Sequence, residues 1–255
     1  MKKIVIIGGN GTVGKLLAKG LSEDYIVELM DKNPSDDPNN KRFIIVDAAN
    51  YQSLLSTIPK DTDVLVNLLA IKTSNNITDI NEFEAMTDIY FKASYYILRA
   101  ALELKIPKVI FASSNHVTDY YEENGFSMLG REITTKDYPR SKGLYGLLKL
   151  ASENLGDIFT MDENVNLSVV NLRIGTVIEN ETEALSKKPR TNRTMLSHTD
   201  LVNIFTAAID STIQFGTYYA VSDNLDHPWS VESAIRELGY KPTVNSTDVK
   251  ENKGE

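Results

Sequence analysis

Short, continuous apolar runs alternate with stretches of helical period along the first 175 residues. The runs lie at 3–8 (KIVIIG), 25–31 (YIVELMD), 42–47 (RFIIVD), 63–70 (DVLVNLLA), 108–113 (KVIFAS) and 167–175 (LSVVNLRIG). Between them, helical patterns extend from the end of the first run to about Ser22, over 50–58, over 81–104 until Pro107 halts the chain, and over 142–161. Strands that are apolar throughout, rather than at alternate positions, are buried on both faces, so the pattern predicts a parallel sheet covered by helices on both sides. The expected class is α/β with a doubly wound sheet. Beyond 175 the pattern thins to a polar, basic loop at 180–194, a helix at 198–212, a strand at 217–221 and a helix at 230–238, with a polar tail from Asn245 read as frayed. No repeat or linker breaks the chain. It reads as one domain over 1–245, with a small C-terminal lobe built mainly from 176–245 and a flexible end at 246–255.

Composition narrows the function classes. The chain has 255 residues, enough for one large core, with 42% hydrophobic and 24% charged residues. A net charge of -8 without any basic stripe argues against a nucleic-acid partner. The absence of cysteine excludes disulfides, thiolate nucleophiles and thiolate metal sites, and suits a reducing cytoplasm. The apolar run Ile4 to Ile7 is too short for a secretory leader, and no stretch approaches the ~20 residues of a membrane span. The histidines are His116, His198 and His227, with no metal-ligand spacing, so no metal is expected. His198 fits a helix start capped by Ser197 or Thr199, Trp229 fits packing, and Asp36-Asp37 fits a solvated loop.

The first candidate for chemistry is the loop GGNGTVG at 8–14, between the first strand and the first helix. Gly8, Gly11 and Gly14 permit a tight turn and close approach of backbone N–H groups to a diphosphate. Thr12 and Val13 open the helix, whose N-terminus favours negative charge. Asp31 ends the second strand 20 residues after Gly11. A carboxylate there accepts from both ribose hydroxyls and repels a 2′-phosphate, which favours NAD over NADP. The second candidate is GLYGLLK at 143–149, which places Tyr145 and Lys149 four apart on one helix face. A free tyrosine titrates near 10, and a neighbouring ammonium stabilises the phenolate, so Tyr145 becomes a usable base.

With these motifs the chain resembles the extended, epimerase-like branch of the short-chain dehydrogenase/reductase superfamily, a Rossmann fold. The likeness includes Gly8, Gly11, Gly14, Asp31, the Asp47-Ala48 pair, Leu68-Leu69-Ala70, and Tyr145 with Lys149. Within that branch it is most similar to uronate dehydrogenases: FASSNHV at 111–117, GLYGLLK at 143–149, RIG at 173–175, and later SHTDLV at 197–202 and VSDN at 221–224. The resemblance implies that Ser114 hydrogen-bonds the reacting hydroxyl, Tyr145 is the base, and Lys149 binds the nicotinamide ribose. It implies further that Asp47 and Ala48 lie against adenine and that Leu68, Leu69, Ala70 and Ile174 line the cofactor. Asn115, His116 and Thr176 would contact sugar oxygens. The implied reaction is oxidation of the anomeric carbon of a hexuronic acid by NAD, in a homodimer or larger homo-oligomer.

Three positions depart from that pattern. Lys72 stands where these enzymes tend to have a small hydroxyl residue. A shortened segment leaves Arg193 as the counterpart of their carboxylate-binding arginine. Tyr90 replaces an active-site asparagine on the long helix. Lys72, Lys187, Lys188, Arg190 and Arg193 are available to meet an anionic sugar, with solvated loop charge as the plainer reading for Lys187 and Lys188. Tyr120 and Tyr121 fit either a pocket mouth or packing. Open alternatives are a sugar-phosphate dehydrogenase, an epimerase or dehydratase of the same fold, and a non-catalytic NAD-sensing module.

Overall fold

The computed structural model describes residues 1–35, 40, 42–162, 164–187 and 189–251, without the side chains of Ala184, Ser186, Lys187, Lys250 and Glu251. Asp36, Asp37, Lys188 and the Lys187 side chain therefore lie outside the described residues. Seven parallel strands form the sheet: β1 (Lys3–Ile7), β2 (Ile26–Asp31), β3 (Phe43–Ile45), β4 (Val64–Asn67), β5 (Lys108–Ser114), β8 (Ser168–Ile174) and β9 (Phe215–Ala220). They lie in the order β3-β2-β1-β4-β5-β8-β9, and β6 (Glu122–Glu123) pairs with β7 (Phe126–Ser127) in a separate hairpin. The order reverses between β1 and β4, so the first loop opens at the topological switch point, where ligands bind such sheets.

Each strand feeds both faces. Ile4 and Ile6 join one apolar cluster, while Val5 and Ile7 join the other. Val64, Val66, Ile110 and Ala112 likewise face the first cluster, and Leu65, Val109 and Phe111 the second. That division explains runs with no polar alternation, and each buried aliphatic side chain contributes about 1.5–3 kcal/mol. Helix α1 (Thr12–Leu21) contributes Leu17 and Leu21 to the first face, together with α8 (His198–Asp210). The other face carries α2 (Tyr51–Thr57), α4 (Ala93–Leu104) and part of α5 (Leu144–Thr160). The long helical pattern ahead of β5 is continuous but not uniform. α3 (Ile80–Met86) passes into a π-helical turn, Thr87–Lys92, before α4. α4 ends at Lys105, which adopts φ 59°, two residues before Pro107.

Three expectations change. The polar stretch 180–194 is not a plain loop, for it holds α6 (Glu181–Lys187) and α7 (Thr191–Thr194). The Asn180 carboxamide accepts from Glu183 N, with acidic residues in the first turn, a helix-start signal hidden among basic residues. The polar end is also not frayed from Asn245. Ser246–Glu251 form α9, and buried Ser246 donates its hydroxyl to Asn192 O. Finally, β4 stops at Asn67, because the Asn67 side chain takes the Leu69 N–H that a longer strand would pair. Ser197 caps α8 as expected, accepting from Asp200 N, and Trp229 is fully buried. Among the described residues, no helix is long and apolar enough to cross a membrane.

Candidate active site

The glycine loop turns tightly onto α1, the Gly8 and Gly9 N–H groups donating to Met30 O of the neighbouring strand. A Cβ on Gly14 would sit 2.6 Å from Gly9 O, so helix and loop touch backbone to backbone. A Cβ on Gly11 would meet only Gly8 O, at 3.5 Å. Among the described residues only Gly8 O comes within 4 Å of that Cβ, and no side chain caps α1, which begins with Thr12 and Val13. An open, uncapped helix start beside a glycine fits an anionic diphosphate. Asp31 stands at the edge of this loop, its carboxylate fixed by the Asn10 and Asn33 N–H groups. Asp47 follows β3, held by the Ala49 N–H and by Lys32 Nζ at 2.9 Å, and the lysine holds its carboxyl below the ordinary range. Lys32 is thereby turned to Asp47, and Ala48 is buried behind it.

From this loop a cleft of about 420 Å³ runs along the carboxyl ends of β4, β5 and β8. Val13, Leu68, Leu69, Ala70 and Ile174 line it, together with Ser114, Asn115, His116, Tyr145, Lys149 and Thr176. β5 is buried along its whole length and stops at Ser114. There the Ser114 hydroxyl accepts from His116 N and starts a 3-10 turn, Asn115–Tyr121, so the polar run is both a turn and a wall of the cleft. α5 packs directly on that turn, and a Cβ on Gly146 would lie 2.1 Å from His116 O. This contact brings the His116 and Tyr145 rings to 5.5 Å, edge to face.

Electrostatics set Tyr145 and Lys149, the two titratable groups of α5 that line the cleft. Burial raises the Tyr145 phenol, and a hydrogen bond with Ser114 opposes that rise. Lys149 is deeply buried, its Nζ donating to Ala112 O at 2.8 Å. Burial lowers its pKa to about 8 against the field of Glu153, one turn further along the helix. Glu153 is itself buried and held by Arg173 at 2.7 Å and by Ser113 Oγ. A chain of buried polar contacts thus continues through Arg173 to Tyr219 and Thr118.

Sequence reasoning did not find every residue here. Asp119 fixes the ring of His116, with Nδ1 at 2.8 Å from Oδ2, while Oδ1 accepts from Lys142 N. Asn75, on the loop after β4, accepts the Tyr145 N–H and so caps the helix that carries the tyrosine. Asn75 carries no local signal, since it acts on a partner from another element, whereas Asp119 stands three residues after His116 in the same turn, a spacing the sequence displays. The basic candidates divide differently from expectation. Arg193 does not line the cleft but stacks 3.7 Å over the Phe126 ring, and exposed Lys72 does not line it either. Arg190 does line it, its guanidinium clamped by the buried Glu122 carboxylate at 2.7 Å. The two arginines stand three residues apart at α7 and take different partners, Glu122 for Arg190 and the Phe126 ring for Arg193. Tyr120 lies under Arg140, at 3.5 Å, and Tyr121 packs on the core, leaving both outside the cleft lining.

Comparison with known proteins agrees with this architecture. The family model for the NAD dependent epimerase/dehydratase family matches residues 4–202. Over 249 residues the chain is 57% identical to uncharacterized protein YtbQ of Bacillus subtilis, covering 98% of this chain and 97% of that one. It is 25% identical to the NAD-dependent glucose-6-phosphate dehydrogenase of Haloferax volcanii, over 96% of this chain and 94% of that one. Among solved structures, uronate dehydrogenase from Agrobacterium tumefaciens superimposes with a TM-score of 0.80 at 23% identity, over 99% of this chain and 88% of that one. The chain belongs to the NAD-dependent epimerase/dehydratase family, and NAD is the cofactor of that family.

Proposed function

We propose that the protein is an NAD-dependent oxidoreductase that oxidises the anomeric hydroxyl of a small sugar acid, such as a hexuronic acid, to a lactone. The observation that carries this reading is the convergence of Ser114, Tyr145 and Lys149 in the same cleft as Val13, Leu69 and Ile174 beside the glycine loop. Gly11 and the start of α1 would hold the diphosphate, Asp31 would accept from the adenosine ribose hydroxyls, and Leu68, Leu69, Ala70 and Ile174 would hold the nicotinamide side. NAD, when bound, supplies the acceptor for the hydride. Ser114 holds the sugar hydroxyl, and the Tyr145 phenolate takes its proton as the C–H bond breaks, leaving a carbonyl. The Lys149 ammonium stabilises that phenolate and binds the ribose.

Asn115, His116 and Thr176 select the sugar. His116 is oriented for this by Asp119, which fixes Nδ1 and leaves Nε2 toward the ligand. Arg190 supports an anionic substrate, because it is the guanidinium on the cleft wall and its Nη1 is outside the clamp with Glu122. Among the described residues Arg190 is the one guanidinium lining the cleft, and of the names attached to similar proteins uronate dehydrogenase fits that better than glucose-6-phosphate dehydrogenase, since a phosphate dianion calls for more than one guanidinium already shared with a carboxylate. Incubation with NAD and glucuronate, galacturonate, glucose 6-phosphate or UDP-glucose, followed by NADH absorbance, tests the reading. Turnover with a uronate is expected, and Tyr145→Phe should abolish it while NAD still binds. A Tyr145→Phe variant at the wild-type rate would remove the tyrosine from the chemistry.

A further inference from the structure

Tyr90 occupies the π-helical turn Thr87–Lys92 and is only 3% exposed. Its hydroxyl accepts from Ile71 N at 3.1 Å and donates to Ile71 O at 3.3 Å, so one phenol satisfies both polar groups of a residue next to the cleft. Its ring does something else. The Lys149 Nζ lies 4.8 Å from the ring centroid, and the Tyr145 ring meets Tyr90 edge to face at 5.2 Å. An ammonium has three donors. Ala112 O takes one from Lys149, and both oxygens of nearby Glu153 are engaged by Arg173 and Ser113. A buried cation without its full set of acceptors is costly, and an aromatic face is an attractive surface for it. A π-helical turn displaces a residue from the regular helical face, and such turns gather at functional sites.

We propose that Tyr90 is a positioning residue, whose ring face holds the Lys149 ammonium charged and in register with Tyr145. This rests on the reading of Tyr145 and Lys149 as the proton-handling pair. The other titratable or charged groups around the ammonium are Tyr145 and Glu153 on α5, Arg173 and Tyr219 beyond Glu153, and His116 with Asp119 on the turn after β5. Glu153 favours the charge, and its partner Arg173 offsets part of that effect. The Tyr90 ring is therefore, with Ala112 O, a contact that favours the charge and has no opposing charge beside it, while burial, opposed by Glu153, lowers the Lys149 pKa to about 8.

The test reads the ring–ammonium contact without any substrate. The Lys149 titration is followed by NMR in full-length protein labelled with 13Cε-lysine, the signal being identified by its absence in Lys149→Met. Tyr90→Phe keeps the ring and loses only the Ile71 bonds, so its Lys149 midpoint should stay at the wild-type value. Tyr90→Leu should lower the midpoint by about one pH unit. Should the leucine variant fold poorly, a series of fluorinated phenylalanines at position 90 preserves the shape while draining charge from the ring face, and the midpoint should fall step by step with fluorine content. A midpoint indifferent to fluorine, or moved equally by phenylalanine and leucine, overturns the inference. The proposed oxidation fails separately, if no sugar in the panel yields NADH.

Discussion

Gly11→Ala and Gly14→Ala separate the two roles of the nucleotide loop, packing and ligand approach. At Gly14 the new Cβ would lie 2.6 Å from Gly9 O, 2.7 Å from Gly9 Cα and 2.8 Å from Gly8 O, all backbone atoms with no freedom to swing aside. Helix α1 would have to lift off the loop. Overpacking of this kind costs about 1–3 kcal/mol, and a domain of this size loses about 2–4 °C per kcal/mol. The melting temperature of Gly14→Ala should therefore fall by roughly 3–10 °C. At Gly11 the Cβ meets Gly8 O at 3.5 Å, an ordinary contact. The remaining cost is that of exchanging glycine for alanine at a helix cap, at most about 1 kcal/mol. Gly11→Ala should thus melt within a few degrees of wild type. Yet its methyl would occupy the approach to the uncapped start of α1, so its Kd for NAD should rise about tenfold or more, equivalent to about 1.4 kcal/mol. Differential scanning fluorimetry and isothermal titration with NAD read the two effects. Wild-type NAD affinity in Gly11→Ala would show that the diphosphate does not pass over this residue. An unchanged melting temperature in Gly14→Ala would show that the loop yields where the backbone contacts say it cannot.

Arg190→Lys keeps a charge beside Glu122 but loses the planar fork, so the KM for an anionic sugar should rise roughly tenfold while that for a neutral aldose stays put. Arg193→Ala should leave both within about twofold, and the opposite outcome in steady-state kinetics would return substrate recognition to Arg193. Glu153→Gln strands the Arg173 charge in the interior and should cost about 3–5 kcal/mol in urea unfolding. Glu153→Met with Arg173→Met should recover most of that loss, and a single variant costing under 1 kcal/mol would refute the buried-pair reading. Lys149 titrates at about 8 when folded against 10.5 when exposed, so between those values the unfolded chain binds more protons and stability rises with pH. Lys149→Met lacks this penalty. It should be more stable than wild type at pH 7 by up to about 3 kcal/mol, with the gap closing as pH approaches 10.5. A gap independent of pH would show that Lys149 is not depressed by burial.

What the sequence discloses follows from the range over which each interaction acts. Strand interiors are legible because burial on both faces leaves only apolar residues, as in β5, where even Lys108 buries its stem and donates to carbonyls at the end of α8. The same rule misreads the end of β4. Leu69 and Ala70 are apolar because they line a cleft, after β4 has ended at Asn67 and Leu68 has made its last bond to β1 through Ile7 O. Apolar character there reports the ligand side of the fold, so an apolar run that outlasts its strand at the carboxyl end is itself a pointer to the site. The glycine loop and the Tyr145–Lys149 spacing are equally local and equally legible. By contrast, Asn75 acts on Tyr145 and Tyr90 on Lys149, each across elements far apart in sequence, while Asp119 acts on His116 from three residues away in the same turn. Arg190 and Arg193 differ by one turn of a four-residue helix, and only the packing of that helix decides which meets the cleft and which covers Phe126. Composition identifies the groups that perform acid–base chemistry, whereas the residues that tune them become visible only once the chain is folded. Tyr90 belongs to that second kind. In the sequence it is merely an unexpected tyrosine on a helix, and in the fold it is the surface against which the buried ammonium rests.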